Sequence, residues 1–260
     1  MPAEKELHVK RVKLTVAYDG TNYNVWQVQP NGITIEEVLN RELSRLLGEE
    51  IAVMGASRTD SGVHSLGNVA VFDTATRMPA DKIAFALNQS LPEDIVAQGS
   101  CEVPSDWHPR YQASRKTYEY RILNRTFRMP TRRLDTYFYH YPLDVDRMRQ
   151  AASCLVGEHD FQSFCAIGAQ VKTTVRTLYA CDVTRADDII TIRVTGNGFL
   201  YNMVRIIAGT LIQVGGGVLA PEQIPEILAA RDRMTAGPTA PAHGLTMIGI
   251  VYEEDAQEVR

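Results

Sequence analysis

Arg11-Val12-Lys13-Leu14-Thr15-Val16-Ala17-Tyr18 alternates apolar with mostly polar or small side chains, and its reading decides the fold. A period of two puts Val12, Leu14, Val16 and Tyr18 on one face of a strand, which predicts a sheet with one buried side. The period then changes. Ile35, Val38, Leu39, Leu43, Leu46 and Leu47 recur at helical spacing, with Thr34 as the expected cap and Gly48 as the stop. Residues 51–54 and 69–72 read as strands, 83–87 as a helix and 95–103 as a closing strand.

The second half repeats that order. Residues 117–123 read as a strand and 145–155 as a helix with Met148 and Ala152 inward. Residues 175–183 and 189–194 form an expected hairpin around Arg185-Ala186-Asp187-Asp188. A long helix over 199–214, a shorter one over 221–230 started by Pro221, and a last strand over 245–252 complete the series. Two βαββαβ units predict an α/β (α+β) protein. It would have two ferredoxin-like halves, with a mixed, mainly antiparallel sheet flanked by helices. Only the element order repeats; the residue identities do not. Residues 104–109 are proline-rich and polar, so the expected domains are 1–106, carrying the loop described next, and 107–260.

That loop is Gly55-Ala56-Ser57-Arg58-Thr59-Asp60-Ser61-Gly62-Val63-His64. A carboxylate and a guanidinium two residues apart, among glycines and small hydroxyl residues, suit neither a core nor a solvated helix. Strand-like runs flank the block, so it reads as a tight loop at a strand end, where a scaffold displays reactive side chains. Arg58 favours the ionised form of Asp60, which can then act as nucleophile or base. Taken alone, an Arg-x-Asp triplet reads more readily as a structural turn with a surface ion pair.

Composition narrows the class. The chain has 260 residues, 45% hydrophobic and 22% charged, which is ordinary globular usage and argues against long disordered tracts. The longest apolar candidate, residues 199–214, is interrupted by Asn202, Arg205 and Gln213, so no membrane span is expected. Residues 1–10 carry charge but no apolar run, which points away from a secretory signal and toward the cytoplasm. Cys101, Cys154, Cys165 and Cys181 are widely spaced, and reduced, buried thiols are expected. His64 and the His159-Asp160 pair lack partners at metal-ligand spacing, so no metal is expected.

Net charge is -4, yet the charge is segregated. Between His108 and Arg133 stand eight basic residues (Arg110, Arg115, Lys116, Arg121, Arg125, Arg128, Arg132 and Arg133) against the single acid Glu119. This segment is therefore +7 and the remainder -11. Tyr111, Tyr118, Tyr120 and Phe127 are interleaved with the charges. Basic groups meet phosphates and aromatic faces stack on unpaired bases, so RNA is the expected partner, with Arg110, Arg115, Lys116 and Arg121 as candidate contacts. The competing reading is a solvated charged face.

The ten-residue block resembles the active-site motif of the tRNA pseudouridine synthase A family, whose core reads Gly-Arg-Thr-Asp-Ala-Gly-Val-His. Arg58, Thr59, Asp60, Gly62, Val63 and His64 match it, while Ser57 and Ser61 stand in place of Gly and Ala. Residues 18–29, from Tyr18-Asp19-Gly20 to Trp26-Gln27-Val28-Gln29, are similar to a second family block, with Val25 in place of its glycine. Read physically, Trp26 is a packing residue. Tyr118-Glu119-Tyr120 is similar to the family's Tyr-x-Tyr strand, and residues 198–205, which include Phe199, Leu200, Met203, Val204 and Arg205, to its helix start. Residues 240–245 and Asp160-Phe161-Gln162-Ser163-Phe164 extend the resemblance, the phenylalanines reading as core.

The resemblance implies an isomerase that converts uridine to pseudouridine in the anticodon stem-loop of tRNA, at positions 38–40. It assigns Asp60 the reaction, Arg205 the cation that orients Asp60, and Tyr118 the base contact. Arg58 would hold a phosphate and fill the space left by the extruded base. Whether Asp60 adds to the base, captures the sugar, or removes a proton at C2′ stays open. No cofactor or metal is implied, and a homodimer is. Two rivals remain, an aspartate-dependent nucleoside or glycoside hydrolase and a non-catalytic RNA-binding module. The hydrolase would want a second carboxylate, which the Asp60 block lacks.

Overall fold

The computed structural model describes residues 9–168 and 171–253, so the signal-peptide reading falls mostly on residues 1–8, outside the described part. The chain divides into two compact units, residues 1–112 and 113–260.

In the first unit β1 (Lys10–Tyr18) is followed by α1 (Ile35–Leu47), β2 (Met54–Gly55), β3 (His64–Thr74), α2 (Ala80–Leu87) and β4 (Ile95–Val103). β1 pairs antiparallel with β3 on one side and β4 on the other, and β2 pairs antiparallel with β3. The order β4-β1-β3-β2 is that of a ferredoxin-like βαββαβ unit. Val12, Leu14 and Val16 are buried with Val38, Leu39 and Leu43 of α1 and Ile83, Ala84 and Leu87 of α2, as the two periodicities require. Thr34 caps α1 by accepting from the amide of Glu37 at 3.2 Å, and Gly48 ends it in the left-handed region.

Two expectations need correction here. The strand read over 51–54 shrinks to Met54–Gly55. α1 takes the amides that a ladder would use: Ile51 N–H donates to Ser44 Oγ at 2.8 Å, and Val53 N–H to Asn40 Oδ1 at 2.7 Å. The boundary expected after residue 106 lies at 112. Trp107 is buried and its carbonyl accepts from Arg11 Nη1 at 3.0 Å, while Arg110 Nε donates to the carbonyl of Gly55 at 2.8 Å. Residues 107–112 are thereby tied to the first unit.

The second unit contains β5 (Ser114–Asn124), β6 (Tyr137–Tyr139), α3 (Val145–Ser153), β7 (Gly157–Asp160), β8 (Val175–Ala186), β9 (Ile189–Gly196), α4 (Met203–Gly215), α5 (Ile224–Ala230) and β10 (Leu245–Tyr252). Its main strands run β10-β5-β9-β8-β7, all antiparallel, and β6 adds a parallel pair to the end of β5. β5, β8, β9 and β10 repeat the strand order of the first unit, so the expected fold class is borne out. Tyr120, Ile122, Ile190, Ile192 and Val194 are buried on one sheet face, as are Met148 and Ala152 of α3 and Ile206, Ile207 and Leu211 of α4. β6 and β7 were not expected, because three or four residues give no period to read. The long helix begins at Met203 rather than 199, since Asn202 has φ 59° and interrupts the right-handed helix.

No helix among the described residues is long and apolar enough to cross a membrane. All four cysteines are free. Cys165 and Cys181 are buried as expected, but Cys101 is exposed, because it pairs with Lys13 on the outward face of β1 and β4. Cys154, just past α3, is only half-buried.

Candidate active site

The Asp60 loop joins β2 to β3 and is held almost residue by residue. Ala56 N–H donates to the carbonyl of Val69 at 2.7 Å, and Asn68 Nδ2 to the carbonyl of Ser57 at 3.0 Å. Trp26 N–H donates to the carbonyl of Thr59 at 3.2 Å, and Gly62 N–H to that of Tyr23 at 3.4 Å. The hydroxyls of Tyr18 and Thr59 share a buried bond of 2.7 Å. Val63 N–H closes the turn on the carbonyl of Asp60 at 3.2 Å. Two glycines make this path possible. Gly62 has φ 76°, and a Cβ on Gly55 would stand 2.1 Å from Trp26 Nε1. Ser57 needs no such freedom; its φ is not positive. Trp26 is fully buried, the packing role read from the sequence.

Asp60 is half-buried and Arg58 exposed, so the scaffold presents both. Arg110 brings a second guanidinium close to Arg58. Burial and the nearby Arg58 charge both push the Arg110 pKa below its usual value. Two neighbouring guanidinium groups suit an anionic substrate with a phosphate backbone.

At the far end of the loop His64 is buried, and its Nδ1 accepts from Gly20 N–H at 3.1 Å. That bond uses the ring lone pair, so Asp19 Oδ1, 3.0 Å from the same nitrogen, forms an ion pair only when the ring is protonated. Burial raises the Asp19 pKa, but the hydroxyl and amide of Thr21 and the neighbouring His64 outweigh it, and the net shift is downward. Among the described residues no three His, Cys, Asp or Glu side chains form a metal-holding group.

In the second unit Tyr118 and Tyr120 lie on the same face of β5, as their spacing predicts. Tyr120 is fully buried, and its hydroxyl donates to the carbonyl of Pro241 at 2.8 Å. Tyr118 is nearly buried and meets Phe199 edge-on at 5.1 Å. Arg205, in the first turn of α4, is half-buried. Its Nε donates to the carbonyl of Ala240 at 2.7 Å and its Nη1 to Asn202 Oδ1 at 2.8 Å, while Ala240 N–H returns a bond to the Arg205 carbonyl at 3.1 Å. The Ala240-Pro241 turn therefore fixes both Arg205 and Tyr120.

The candidate RNA contacts do not share one surface. Lys116 is on the Tyr118 face of β5, whereas Arg115 and Arg121 alternate to the other. Arg115 lies over the ring of Tyr179 at 4.6 Å, and Arg121 donates to Glu119 at 2.9 Å.

Sequence reading missed Tyr18, Asn68 and Asn202. Tyr18 was visible as a core residue of β1 and as the first residue of the second family block, with no sign of its bond to the Asp60 loop. For Asn202 the available signal was an amide next to a helix start, a residue type that tolerates the left-handed region.

A family model described as tRNA pseudouridine synthase matches residues 14–112 and 151–253. The chain belongs to that family. It is 48% identical over 244 residues to tRNA pseudouridine synthase A of Thermoanaerobacter sp. (strain X514), covering 94% of this chain and 100% of that one. The protein of the same name from Ruminiclostridium cellulolyticum is 49% identical over 245 residues, with the same coverage. That from Brevibacillus brevis is 47% identical over 244 residues, again 94% of this chain and 100% of the other. Among solved structures, the archaeal box H/ACA sRNP Nop10-Cbf5 complex matches with a TM-score of 0.34 and 15% identity. The match covers 89% of this chain and 47% of that one. An enzyme of this family is an isomerase that acts on tRNA.

Proposed function

We propose that the protein converts uridine to pseudouridine at positions 38–40 of the tRNA anticodon stem-loop, with Asp60 as the reacting carboxylate. The observation that carries this reading is the pinned loop, which presents Asp60 and Arg58 while nearly every neighbour is locked into the core. A stacked uridine must first leave its stem, at a cost of roughly a few kcal/mol. Arg58 fills the vacated space and, with Arg110, holds the adjacent phosphates.

The N1–C1′ bond then breaks and a C5–C1′ bond forms. C5 loses its proton, N1 ends protonated, and reactant and product have the same atoms and electrons. Such an isomerisation needs no redox group, metal or energy-rich co-substrate. Asp60 assists by adding to the base, by capturing C1′, or by removing a proton at C2′. Arg205 supplies the cation that orients the carboxylate, and Tyr118 contacts the base. Arg110, Arg115, Lys116 and Arg121 contact the tRNA backbone, and the enzyme works as a homodimer in the cytoplasm.

The direct test is incubation of the purified protein with uridine-labelled tRNA, followed by nucleoside chromatography. Pseudouridine is the expected product. Free uracil would instead identify a hydrolase, and unchanged uridine with tRNA retained on the protein would identify a passive binder.

A further inference from the structure

Residues 137–141, Tyr-Phe-Tyr-His-Tyr, have no part in the chemistry above and lie between the two stretches that the family model matches. β6 starts this run and pairs in parallel with the end of β5, Ile122 opposite Tyr137 and Asn124 opposite Tyr139. Asn124 Nδ2 then donates to the carbonyls of Tyr139 and Tyr141, at 2.9 and 2.8 Å, which fixes the backbone beyond the strand end. The aromatic side chains are thus displayed on an ordered ribbon.

One face of the ribbon forms a stack. Phe138 and His140 have their ring centres 6.3 Å apart with planes inclined by 25°. The Arg128 guanidinium lies over Phe138 at 5.0 Å, and Tyr141 packs against His140 at 3.8 Å. Arg128 and His140 are exposed, Tyr141 is 59% exposed, and Phe127, next to Arg128, is 75% exposed. Large aromatic groups clustered in water beside an arginine mark a contact surface.

Charge decides what it contacts. From Tyr120 to Leu134 the chain carries five arginines and no acid. Arg121, Arg125 and Arg132 are paired with Glu119, Asp188 and Asp135, but Arg128 and Arg133 pair with no carboxylate among the described residues. Flat rings in line with a planar cation that lacks a counter-charge fit a ligand that is itself flat and polyanionic. Unpaired nucleotides have both properties, because bases stack on aromatic and guanidinium planes while phosphates meet the charge. A second copy of this acidic chain offers no such repeating combination.

We propose that Arg128, Phe138, His140 and Tyr141, with Phe127 beside them, form a stacking platform for unpaired nucleotides of the tRNA, remote in role from the reacting uridine. The proposal rests on the tRNA reading. It gives the platform a task in binding, with the chemical step left to Asp60.

The test compares Arg128→Ala, Tyr141→Ala and the double variant with the parent enzyme, using full-length tRNA. Both side chains are exposed, and thermal melts establish that the variants fold. The double variant is expected to raise both KM and the directly measured Kd by about tenfold or more, with kcat at saturating tRNA changed less than twofold. Tyr141→Phe, which keeps the ring, should restore most of the affinity. Arg128→Ala should also lower the slope of log Kd against log salt by about one. Unchanged KM and Kd in the double variant would overturn the platform, as would a shift in sedimentation mass that accounts for the loss. If the parent protein binds tRNA through this strip yet forms no pseudouridine, the functional reading fails and the platform survives.

Discussion

The hydroxyls of Tyr18 and Thr59 lie 2.7 Å apart in a buried bond that ties the last residue of β1 to the residue before Asp60. A displacement of Asp60 therefore requires breaking a buried polar contact. Tyr18→Phe should leave Thr59 short of a partner, lowering stability by about 1 kcal/mol. Because the loop loosens, kcat should fall severalfold while KM for tRNA stays near the parent value. Denaturant unfolding and steady-state kinetics on tRNA check the two parts; an unaltered kcat would show that the bond is structural only.

Alkaline pH should weaken the fold through the same residue. Burial pushes the Tyr18 pKa from 10.0 to about 12, and that of the Cys181 thiol from 9.0 to about 12. A group whose folded pKa is raised binds its proton more tightly in the native state. Its contribution is thus complete below the unfolded pKa and lost as pH rises toward the folded one. Stability should hold up to about pH 9 on this account and decline between about 9 and 12. Tyr18→Phe should flatten the decline between about pH 10 and 12, read from unfolding midpoints across a pH series.

Asp60→Asn keeps the size of the side chain and removes the charge. Pseudouridine formation should drop by about 10³-fold or more, with melting temperature and tRNA affinity close to the parent. Single-turnover assays and equilibrium binding check this. Turnover near the parent rate would remove Asp60 from the chemistry.

Gly55 and Ser57 should respond in opposite ways. A Cβ on Gly55 meets the Trp26 indole at 2.1 Å, in a fully buried setting, so Gly55→Ala should cost about 1–3 kcal/mol. Ser57 Oγ is buried and makes no hydrogen bond. Ser57→Ala removes that unmet polar group and should be neutral or stabilising by up to about 1 kcal/mol. Calorimetric melts of the two variants give the comparison.

Asn202 accepts from Arg205 Nη1 at 2.8 Å while its own backbone has φ 59°. Asn202→Gly keeps that backbone comfortable and deletes only the side-chain bond. On the proposed role of Arg205, kcat should fall about tenfold, a change of about 1.4 kcal/mol, with the melting point nearly constant. Arg205→Met should reduce kcat further. Equal activity of Asn202→Gly and the parent would show that the Asn202 bond does not orient Arg205.

Long periodic elements were legible. The alternation of β1, the heptad-like spacing of α1 with Thr34 and Gly48 at its ends, and the hairpin around Asp187 all follow from local pattern. Elements governed by side-chain bonds from elsewhere were not. Residues 51–53 have strand-like composition, but Asn40 and Ser44 capture their amides, and no local rule announces that. β6 and β7 exist because β5 and β8 offer edges to pair with. At the site, Asp60 and Arg58 stood out through chemistry in an unusual string. Tyr18 and Asn68 did not, because a buried residue that braces a loop has the same signature as one that merely packs.

The extension of the first unit to residue 112 has a practical meaning for anyone who separates the halves of this chain. A fragment cut after residue 106 would lose the Trp107 acceptor used by Arg11 and the Arg110 clamp on Gly55, and with them one anchor of the Asp60 turn. Cutting after Gln112 keeps both, so a modest shift of six residues separates a fragment with an intact reactive loop from one whose loop has lost a strut.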